Sequence, residues 1–535
     1  MKITHFCFEN FKGYSTRTKL PLAPITAIYG QNSSGKSSII QAMLFLSQAF
    51  LKEFTQDSFT EPFEDYLDFE NIVYEHDTSR TMKLGIRAEF EYKNYEGLIG
   101  TLSSDPFEIY INFDKFTISS QNSHRRLSFE VFYDEEETPL IKGTFFGDHS
   151  GSYGFSPSVN FVDKNSKYLE IIASFMWTKW KELLDKNDLD SPNSIIRGLM
   201  RETKKDLGLL ETPGFDPLNV AEEHFLKTVR YFWPVTTKEI FGFYDEYEGV
   251  VDEHLSDNEQ SEQQVTEHAS GDQSASEDSG FLWTINKFCF GESFSPYSKL
   301  TPDTIVHNLF DKLRYFSREQ MRVIGPFRRV LDRTPSRQRS SEDYVGLDGS
   351  DAFAILESNP VLAKSVQSAL EDLDIPYDIA IIPGDQNKRF FFVSLEQSRT
   401  KLSTTFKDVG VGISQVVPII VQLSIGKNTA VVLQQPELHL HPRLQGNLAE
   451  YIGKRVLDQS KAVERVIVET HSESMALRWR KLVRKGRISK DMITFLYVER
   501  VGNRSTITEI KLDEEGDFTK LWPEGFFEER LEELL

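Results

Sequence analysis

The chain has 535 residues, of which 39% are hydrophobic and 27% charged, as in ordinary globular proteins. Its formal net charge of −21 opposes long-range attraction of the whole surface to nucleic acid, but not a local basic groove. The two cysteines, Cys7 and Cys289, cannot cross-link so long a chain, and the first residues lack a signal-peptide pattern, so we expect a cytoplasmic protein. The longest apolar run, near residues 416–421, is far shorter than the ~20 residues that span a bilayer, so we expect no membrane partner.

The N-terminal part of the chain is predicted to combine short strands with one helix. Residues 2–9 and 25–29 are apolar strands, and residues 35–50 carry the apolar stripe of a helix. Beyond this helix, apolar and polar residues alternate in three segments. We predict antiparallel strands in these segments, which are residues 82–92, 107–117 and 127–133.

A phosphate-binding loop lies between the second strand and the helix. Residues 30–37 read GQNSSGKS and match the GxxxxGKS pattern in the strand–loop–helix context that gives the pattern its meaning. The glycines let backbone N–H groups converge on phosphates, Lys36 adds a mobile positive charge, and the Ser37 hydroxyl can ligate Mg²⁺. The loop therefore predicts ATP and Mg²⁺ as cofactors. The residues of this loop predicted to contact nucleotide are Asn32, Ser33, Ser34, Gly35, Lys36, Ser37 and Ser38.

The middle of the chain changes from helical to acidic. From about residue 167 to residue 243, the apolar residues are spaced as in helices. Residues 251–280 contain no Lys or Arg and bury too little apolar surface to offset the entropy of ordering, so we predict a disordered loop. Two interpretations stay open, namely a solvated insertion without a role and a segment that binds a partner or mimics DNA.

Residues 314–340 have the opposite charge. They contain eight arginines and only two acidic residues, Glu319 and Asp332. One interpretation is a face that forms salt bridges with the acidic remainder of the chain. The other is recognition of phosphate, either of ATP or of nucleic acid.

Two further motifs follow in the C-terminal half. Residues 408–423, DVGVGISQVVPIIVQL, join a glycine-rich turn to a helix, and an apolar strand then leads into QQPELHLHP at 434–442. The separation of Ser414 from Gln434 suits a helix, a turn and a strand. Residues 466–474, VIVETHSES, form another apolar strand with a histidine, His471, directly after it.

The order of these motifs resembles that of ABC-type ATPases. FENFKGY, GQNSSGKSS, DVGVGISQ, QPELHLHP and ETHSES together are similar to the overcoming-lysogenization-defect (OLD) and SMC-like branch of that family. VIGPFRRVLDRTPSRQ, YVGLDG and LDEEGDFTKLWPEGFF further resemble the ATPases that accompany nucleases in bacterial anti-phage systems. These include the Septu ATPase, which also accompanies some retrons.

The resemblance implies an α/β fold, namely an ABC-type P-loop ATPase head with a central mixed sheet. Two lobes come from the N- and C-terminal segments, and an α+β middle region is inserted between them. We therefore predict an N-terminal ATPase lobe at residues 1–90, an inserted region at 91–310 and a C-terminal ATPase lobe at 311–535.

The resemblance also assigns roles to residues outside the phosphate loop. Two copies would pack head to tail, so that Ser414 and Gly412 of one copy reach the nucleotide held by the other. His471 corresponds to the switch histidine that senses the γ-phosphate. Lys12, in FENFKGY, is predicted to contribute to nucleotide binding.

One departure from the family pattern concerns the strand end before QQPELHLHP. Relatives commonly read EQPE or EEPE here, with an acid that manages Mg²⁺ and the attacking water, whereas this chain has Gln434 and Gln435. Glutamine has the shape of glutamate but is neither a carboxylate base nor a charged metal ligand. Either the protein hydrolyses ATP slowly by nature, or the sequence carries an engineered Glu-to-Gln change that traps ATP. We predict catalytic or metal-site positions at Gln434, Gln435, Glu437 and His471, with Glu437 as a conceivable substitute acid.

Two functions remain open at the level of sequence. The first is an ATPase that dimerises around nucleotide and regulates a separate nuclease subunit in anti-phage defence. The second is a DNA repair or chromosome-maintenance ATPase of the RecF and SMC type that binds DNA directly. The arginine-rich segment favours the second function and the net charge disfavours it. The expected partners are a second copy, a nuclease chain and possible nucleic acid (DNA, or the RNA/DNA of a retron).

Overall fold

The structure is a computed structural model. It describes residues 2–49, 69–90, 105–113, 125–133, 139, 141–147, 153–158, 309, 312–313, 321–330, 343–384, 391–400, 402–426, 430–458 and 463–523. The predicted helical region at 167–243 and the predicted disordered loop at 251–280 lie outside these residues. The chain divides into two compact units, one that includes residues 86–113 and 122–311 and another that includes residues 3–85 and 312–535.

The described strands follow one another along the chain as β1 (Lys2–Glu9), β2 (Thr18–Pro21), β3 (Ile25–Gly30), β4 (Met82–Phe90), β5 (Asp105–Phe113), β6 (Arg125–Tyr133), β7 (Ile141–Gly147), β8 (Tyr153–Ser158), β9 (Met321–Ile324), β10 (Tyr377–Pro383), β11 (Phe391–Gln397), β12 (Ser403–Thr404), β13 (Ala430–Gln434), β14 (Arg465–Glu469), β15 (Ile493–Val501) and β16 (Arg504–Ile510). The described α-helices are α1 (Lys36–Ala49), α2 (Phe69–Ile72), α3 (Ala352–Ser358), α4 (Pro360–Asp372), α5 (Val411–Ile425), α6 (Pro442–Leu457) and α7 (Glu473–Arg484).

The first unit contains an antiparallel meander. Strands β5, β6, β7 and β8 pair in sequence order, each antiparallel to the next. Apolar residues alternate along β5, but positions 107–111 are all buried, so both faces of the strand are buried there. A charged pair is also buried here, because Arg87 donates to Glu108 at 2.9 Å and Glu108 is fully buried. The alternation at 107–117 and 127–133 thus corresponds to strands at 105–113 and 125–133.

The core of the second unit is a six-stranded mixed sheet in the order β16-β15-β3-β14-β13-β9. All neighbours from β15 to β9 are parallel, and only β16 at the edge is antiparallel. Strands β3 and β14 are buried at every position, which explains why each is a nearly continuous apolar run. Because β3, β13 and β14 are parallel, the segments that follow them meet at one edge of the sheet.

The C-terminal segment is part of this core. Strand β15 pairs with all of β3 through its residues 493–498, and the ring of Trp522 packs edge-on against Tyr29 in β3 at a centroid distance of 5.2 Å. Phe495 and Phe518 join the same aromatic cluster. Removal of this segment would therefore uncover the central strand of the sheet.

Helix α5 is largely buried, because all eleven residues from Ser414 to Ser424 are buried. It contains Pro418, and Gly349 lies against that ring with φ +73 at a place where a β-carbon would come within 2.5 Å of Pro418. Helices α6 and α7 pack together, and Trp479 donates its indole N–H to the Ala449 carbonyl at 2.9 Å. A small antiparallel sheet, β10-β11-β12, completes the unit.

These elements confirm the predicted fold class, an α/β P-loop ATPase head whose central mixed sheet draws strands from both ends of the chain. Within the part of the chain that the structure describes, no helix is long and apolar enough to cross a membrane.

Candidate functional site

The phosphate loop connects β3 to α1 through backbone conformations that demand glycine. Gly30 has φ +149, and a β-carbon there would lie 2.1 Å from the Val498 carbonyl oxygen. Gly35 has φ +110, and a β-carbon there would lie 2.6 Å from the Ser505 hydroxyl on the β15–β16 hairpin. Ser33 adopts φ +62 and is exposed, as is Asn32. The hairpin thus supports the loop from behind and leaves its outer residues open.

Lys36 lies under the loop rather than in solvent. Its ammonium donates to the carbonyl oxygens of Gly30 at 2.9 Å and Gln31 at 2.7 Å, and the residue is only 5% exposed. Burial lowers the pKa of Lys36, while the carboxylates of Glu469 and Glu437 act to raise it. The cation is therefore held in place by loop carbonyls that phosphate oxygens can replace.

The hydroxyl of Ser37 and the amide of Gln434 meet at one carboxylate. Ser37 Oγ donates to Glu469 Oε1 at 2.8 Å, and Gln434 Nε2 donates to Glu469 Oε2 at 3.1 Å. Gln434 and Glu469 are register partners at the ends of β13 and β14, so their side chains share one face of the sheet. Glu469 is 2% exposed. Glu469 is not among the site residues predicted from the sequence, although it ends an apolar strand two residues before His471.

Glu437 lies within this site, although it follows the end of β13. Its Oε1 accepts the backbone N–H of His471 at 2.7 Å. Its Oε2 is buried and accepts no hydrogen bond from the described residues. Burial raises the pKa of Glu437, against the effect of its hydrogen bonds and of Arg328. The carboxylate is therefore more basic than an ordinary glutamate and has a free oxygen with which it could bind a proton.

His471 follows β14 and is exposed. Desolvation and the charge of Lys36 lower the pKa of His471. Its backbone is fixed from two sides, because Thr470 N–H donates to the Ile28 carbonyl and His471 N–H donates to Glu437. The ring therefore lies at the sheet edge where the phosphate loop begins.

Arg328 links three parts of the site. Its guanidinium donates to the carbonyl oxygens of Gln434 at 3.3 Å and Gln435 at 2.9 Å, and to the side chain of Gln415 in α5 at 3.3 Å. Gln415 returns a bond to the Arg328 carbonyl at 2.8 Å. Arg328 is 4% exposed, and burial lowers its pKa to about 10. This arginine from the basic segment contacts backbone carbonyls, which neither sequence-based interpretation included.

Ser414, the predicted cross-subunit contact, lies inside the first turn of α5. Its hydroxyl donates to the Val411 carbonyl at 2.7 Å within the first turn of α5, and the residue is fully buried. A hydroxyl bonded inside its own helix is not presented to a second molecule in this conformation. Gly412 packs against the His439 carbonyl, which a β-carbon would approach to 2.7 Å. The exposed part of this segment is the start of the helix at Gly410 and Val411.

Lys12 lies beside α1, one turn beyond the phosphate loop. Its ammonium donates to Gln41 at 2.6 Å, and burial lowers its pKa to about 8. Its backbone is in the left-handed region, with φ +48. Ser34 is almost fully buried, and Ser38 is half-buried on the first turn of α1. Of the predicted nucleotide contacts, Asn32, Ser33 and Ser37 are therefore the most open.

The residues present fit an ATP molecule with its Mg²⁺. The loop supplies N–H groups and a cation for phosphates, and the Ser37 hydroxyl and Glu469 carboxylate are oxygen ligands of the kind Mg²⁺ prefers. No group of three or more His, Cys, Asp or Glu side chains that could hold a metal occurs within the described ranges.

Two protein-family models match this chain. The sequence pattern of the AAA ATPase domain family matches residues 1–476, and that of a protein family of unknown function (DUF3696) matches residues 488–535. No curated protein matches the chain.

Solved structures with a similar arrangement include SMC head domains. One SMC head, bound to the C-winged helix domain of ScpA, is 8% identical, with a TM-score of 0.39 and coverage of 96% of this chain and 99% of that one. The head from Thermotoga maritima is 9% identical, with a TM-score of 0.32 and coverage of 95% and 98%. The head with a coiled coil and joint from Pyrococcus yayanosii is 12% identical, with a TM-score of 0.36 and coverage of 96% and 98%. The family assignment depends on the domain match alone, and because that match spans residues 1–476, the chain belongs to the AAA ATPase domain family.

Proposed function

We propose that this ATPase head binds ATP with Mg²⁺, pairs head to tail with a second copy around the nucleotide, and hydrolyses ATP slowly. The observation that carries this proposal is the convergence of three strand ends. The loop after β3 presents Lys36 and Ser37, the turn after β13 presents Glu437, and the turn after β14 presents His471. Mg²⁺, when bound, neutralises charge on the β- and γ-phosphates.

Glu437 is the group proposed to accept the proton of the attacking water. In hydrolysis the water oxygen forms a bond to the γ-phosphorus, the bond to the β,γ-bridging oxygen breaks, and one water proton must leave. Gln434 and Gln435 cannot take this proton because amides are not bases at neutral pH. Glu437 has a raised pKa and a buried Oε2 without a hydrogen-bond partner among the described residues. Its position after the strand end, rather than on the strand, is consistent with slow turnover.

The second copy is proposed to approach through the start of α5. A helix N-terminus has free N–H groups and a partial positive charge, which together attract phosphate. Gly410 caps α5 and Val411 is 44% exposed, so this terminus is open to another molecule. We therefore assign the cross-subunit contact to the backbone at Gly410–Gly412, with Ser414 holding the turn from inside.

A mixing experiment tests this arrangement. Lys36→Ala should disable the phosphate loop, and Gly410→Asp should place a negative charge where a partner's phosphate would bind. A β-carbon at Gly410 meets nothing within 4 Å and its φ of −57 suits any residue, so the variant should fold. Gly410→Asn is the matched neutral control, because both side chains cap helices well.

Each of the two variants alone should be inactive, and their mixture should regain activity. Half of a randomly mixed dimer population is mixed and has one intact site, so turnover should recover to about one quarter of the parental value. Absence of recovery, together with ATP-independent sedimentation of the parent chain, would overturn the head-to-tail proposal.

For the biological output, we propose regulation of a separate nuclease chain in cytoplasmic anti-phage defence. The sequence resemblance of residues 323–338 and 512–527 to defence ATPases supports this proposal. The alternative, direct DNA binding by a RecF- or SMC-like ATPase, is favoured by the basic segment. However, two of its arginines are engaged within the chain, because Arg322 pairs with Asp343 at 2.9 Å and Arg328 contacts carbonyls. These contacts leave fewer cations for phosphate.

Affinity purification from the native host distinguishes the two outputs. Regulation of a nuclease predicts that a nuclease chain co-purifies in stoichiometric amount and is retained at high salt. Direct DNA binding predicts that nucleic acid co-purifies, and that its affinity falls steeply as the salt concentration rises, because DNA binding releases counterions. Recovery of nucleic acid without a nuclease would overturn the defence proposal in favour of the alternative.

A further inference from the structure

The negative charge of this site lies at the end of a different strand from the one expected. In the expected family pattern, the strand that is β13 here ends in an acid, but this chain ends that strand in the neutral Gln434. The next strand of the sheet, β14, ends in Glu469, and the two residues are register partners. The Gln435 N–H also donates to the Glu469 carbonyl at 2.7 Å, which fixes the two strand ends to each other.

The carboxylate of Glu469 is oriented toward the phosphate loop. One oxygen accepts from the Ser37 hydroxyl at 2.8 Å, and the other accepts from the Gln434 amide at 3.1 Å. Ser37 is the loop residue whose hydroxyl P-loop ATPases use for Mg²⁺. A carboxylate that is 2% exposed is costly to bury, and the hydrogen bonds it accepts among the described residues come from the neutral Ser37 and Gln434, with the Lys36 cation nearby. A divalent cation would lower that cost further.

We propose that Glu469 provides the carboxylate of the Mg²⁺ site, together with Ser37, in place of the acid that β13 lacks. The inference rests on the proposed function, since it requires that the chain bind nucleotide with Mg²⁺. The neutral Gln434 has a defined part in this arrangement. Its amide N–H₂ fixes the carboxylate, which a second acid at the same position would repel.

The test is the Mg²⁺ dependence of nucleotide binding, measured by calorimetry with a non-hydrolysable ATP analogue with and without Mg²⁺. The parent chain should bind the analogue more tightly with Mg²⁺. In Glu469→Gln, affinity for Mg²⁺ at saturating nucleotide should fall about 10- to 100-fold, as for lost groups of a metal site. Affinity for the analogue without Mg²⁺ should be unchanged or higher, because a negative charge near phosphate has been removed.

The matched control exchanges the two side chains. The double variant Gln434→Glu/Glu469→Gln keeps one acid and one amide at the same strand ends, and it should restore the Mg²⁺ dependence that Glu469→Gln loses. Mn²⁺ binding followed by electron paramagnetic resonance gives a second readout that does not involve turnover. Melting curves of both variants confirm folding, and the exchanged pair remains interpretable if the single variant does not fold.

The outcomes separate this inference from the proposed function. If the parent chain binds no nucleotide, the proposed function fails. If the parent binds nucleotide but Glu469→Gln keeps its full Mg²⁺ affinity, the assignment of Glu469 is overturned and the proposed function stands. If the exchanged pair shows no Mg²⁺ dependence although the parent does and the variant folds, the carboxylate is not interchangeable between the strand ends, and the inference also fails.

Discussion

The ends of β13 and β14 lie side by side in one sheet and differ in charge. Strand β13 ends in the neutral Gln434 and is followed by Gln435, and Arg328 donates hydrogen bonds to the carbonyl oxygens of both residues. Strand β14 ends in a buried carboxylate, Glu469, which accepts hydrogen bonds from Ser37 and Gln434. The comparison teaches that a charge needed at the edge of a parallel sheet can be supplied from a neighbouring strand, because register partners point in the same direction.

The largest expected effect concerns Glu437, which lies in the turn after β13 but bonds to the turn after β14. Glu437→Gln should reduce ATP turnover about 10²- to 10⁴-fold, the usual contribution of a general base, with little change in nucleotide affinity. Because burial raises the pKa of Glu437, parental turnover should fall on acidification at a pH above the ordinary glutamate pKa of about 4.3. A pH–rate profile of both forms measures this, and unaltered turnover in Glu437→Gln would remove Glu437 from the mechanism.

Arg328→Ala tests how the β13 end is held. The change leaves several buried carbonyl oxygens without their donor, so the free energy of unfolding should fall by about 2–4 kcal/mol. The β14 end is also held by β3, because Thr470 N–H donates to the Ile28 carbonyl, so nucleotide binding should persist at low temperature. Denaturant titration gives the stability, and the exposed Arg443→Ala is a control that should change it by less than about 0.5 kcal/mol. Equal stability of Arg328→Ala and the parent would contradict the structural role.

Lys36→Ala tests the cation that faces both strand ends. Loss of a charge-assisted contact to phosphate should weaken nucleotide binding by about 2–3 kcal/mol. Lys12→Ala is the graded comparison, because its ammonium contacts Gln41 on α1 instead of the loop carbonyls. We expect a smaller loss of affinity in Lys12→Ala. If calorimetry shows a larger loss of nucleotide affinity in Lys12→Ala than in Lys36→Ala, Lys12 rather than Lys36 contacts the phosphates.

The smallest expected effect comes from returning an acid to β13. Gln434→Glu should raise turnover about tenfold, less than a full general-base contribution, since Glu469 already supplies charge at this edge. Without Mg²⁺ the two carboxylates should repel each other and lower the melting temperature, and Mg²⁺ with nucleotide should reverse that loss. Steady-state ATPase and melting curves in both conditions test this. If the variant is faster but its melting temperature does not depend on Mg²⁺, the carboxylates at positions 434 and 469 do not interact as predicted.

Much of the fold could be predicted from local patterns. The strands at 2–9 and 25–30 and the helix at 36–49 follow from apolar periodicity, and the GxxxxGKS loop follows from its glycines. The predicted domain boundaries at 90 and 310 and the disordered loop stay predictions. Glu469 and Arg328 could not be selected in this way, because their partners lie far from them in the chain. Gln434 is 35 positions before Glu469, and Gln435 is 107 positions after Arg328.

The sequence by itself determined that the chain has a P-loop and that β13 lacks its expected acid, because both depend on residues that are neighbours in the chain. Only the tertiary structure decided which side chain lies beside Gln434 and how the Ser414 hydroxyl is bonded. Strand order places Glu469 beside Gln434, and the first turn of α5 buries the Ser414 hydroxyl on its own Val411 carbonyl. The physical reason is that strand pairing and burial depend on contacts between distant segments, which local periodicity does not encode.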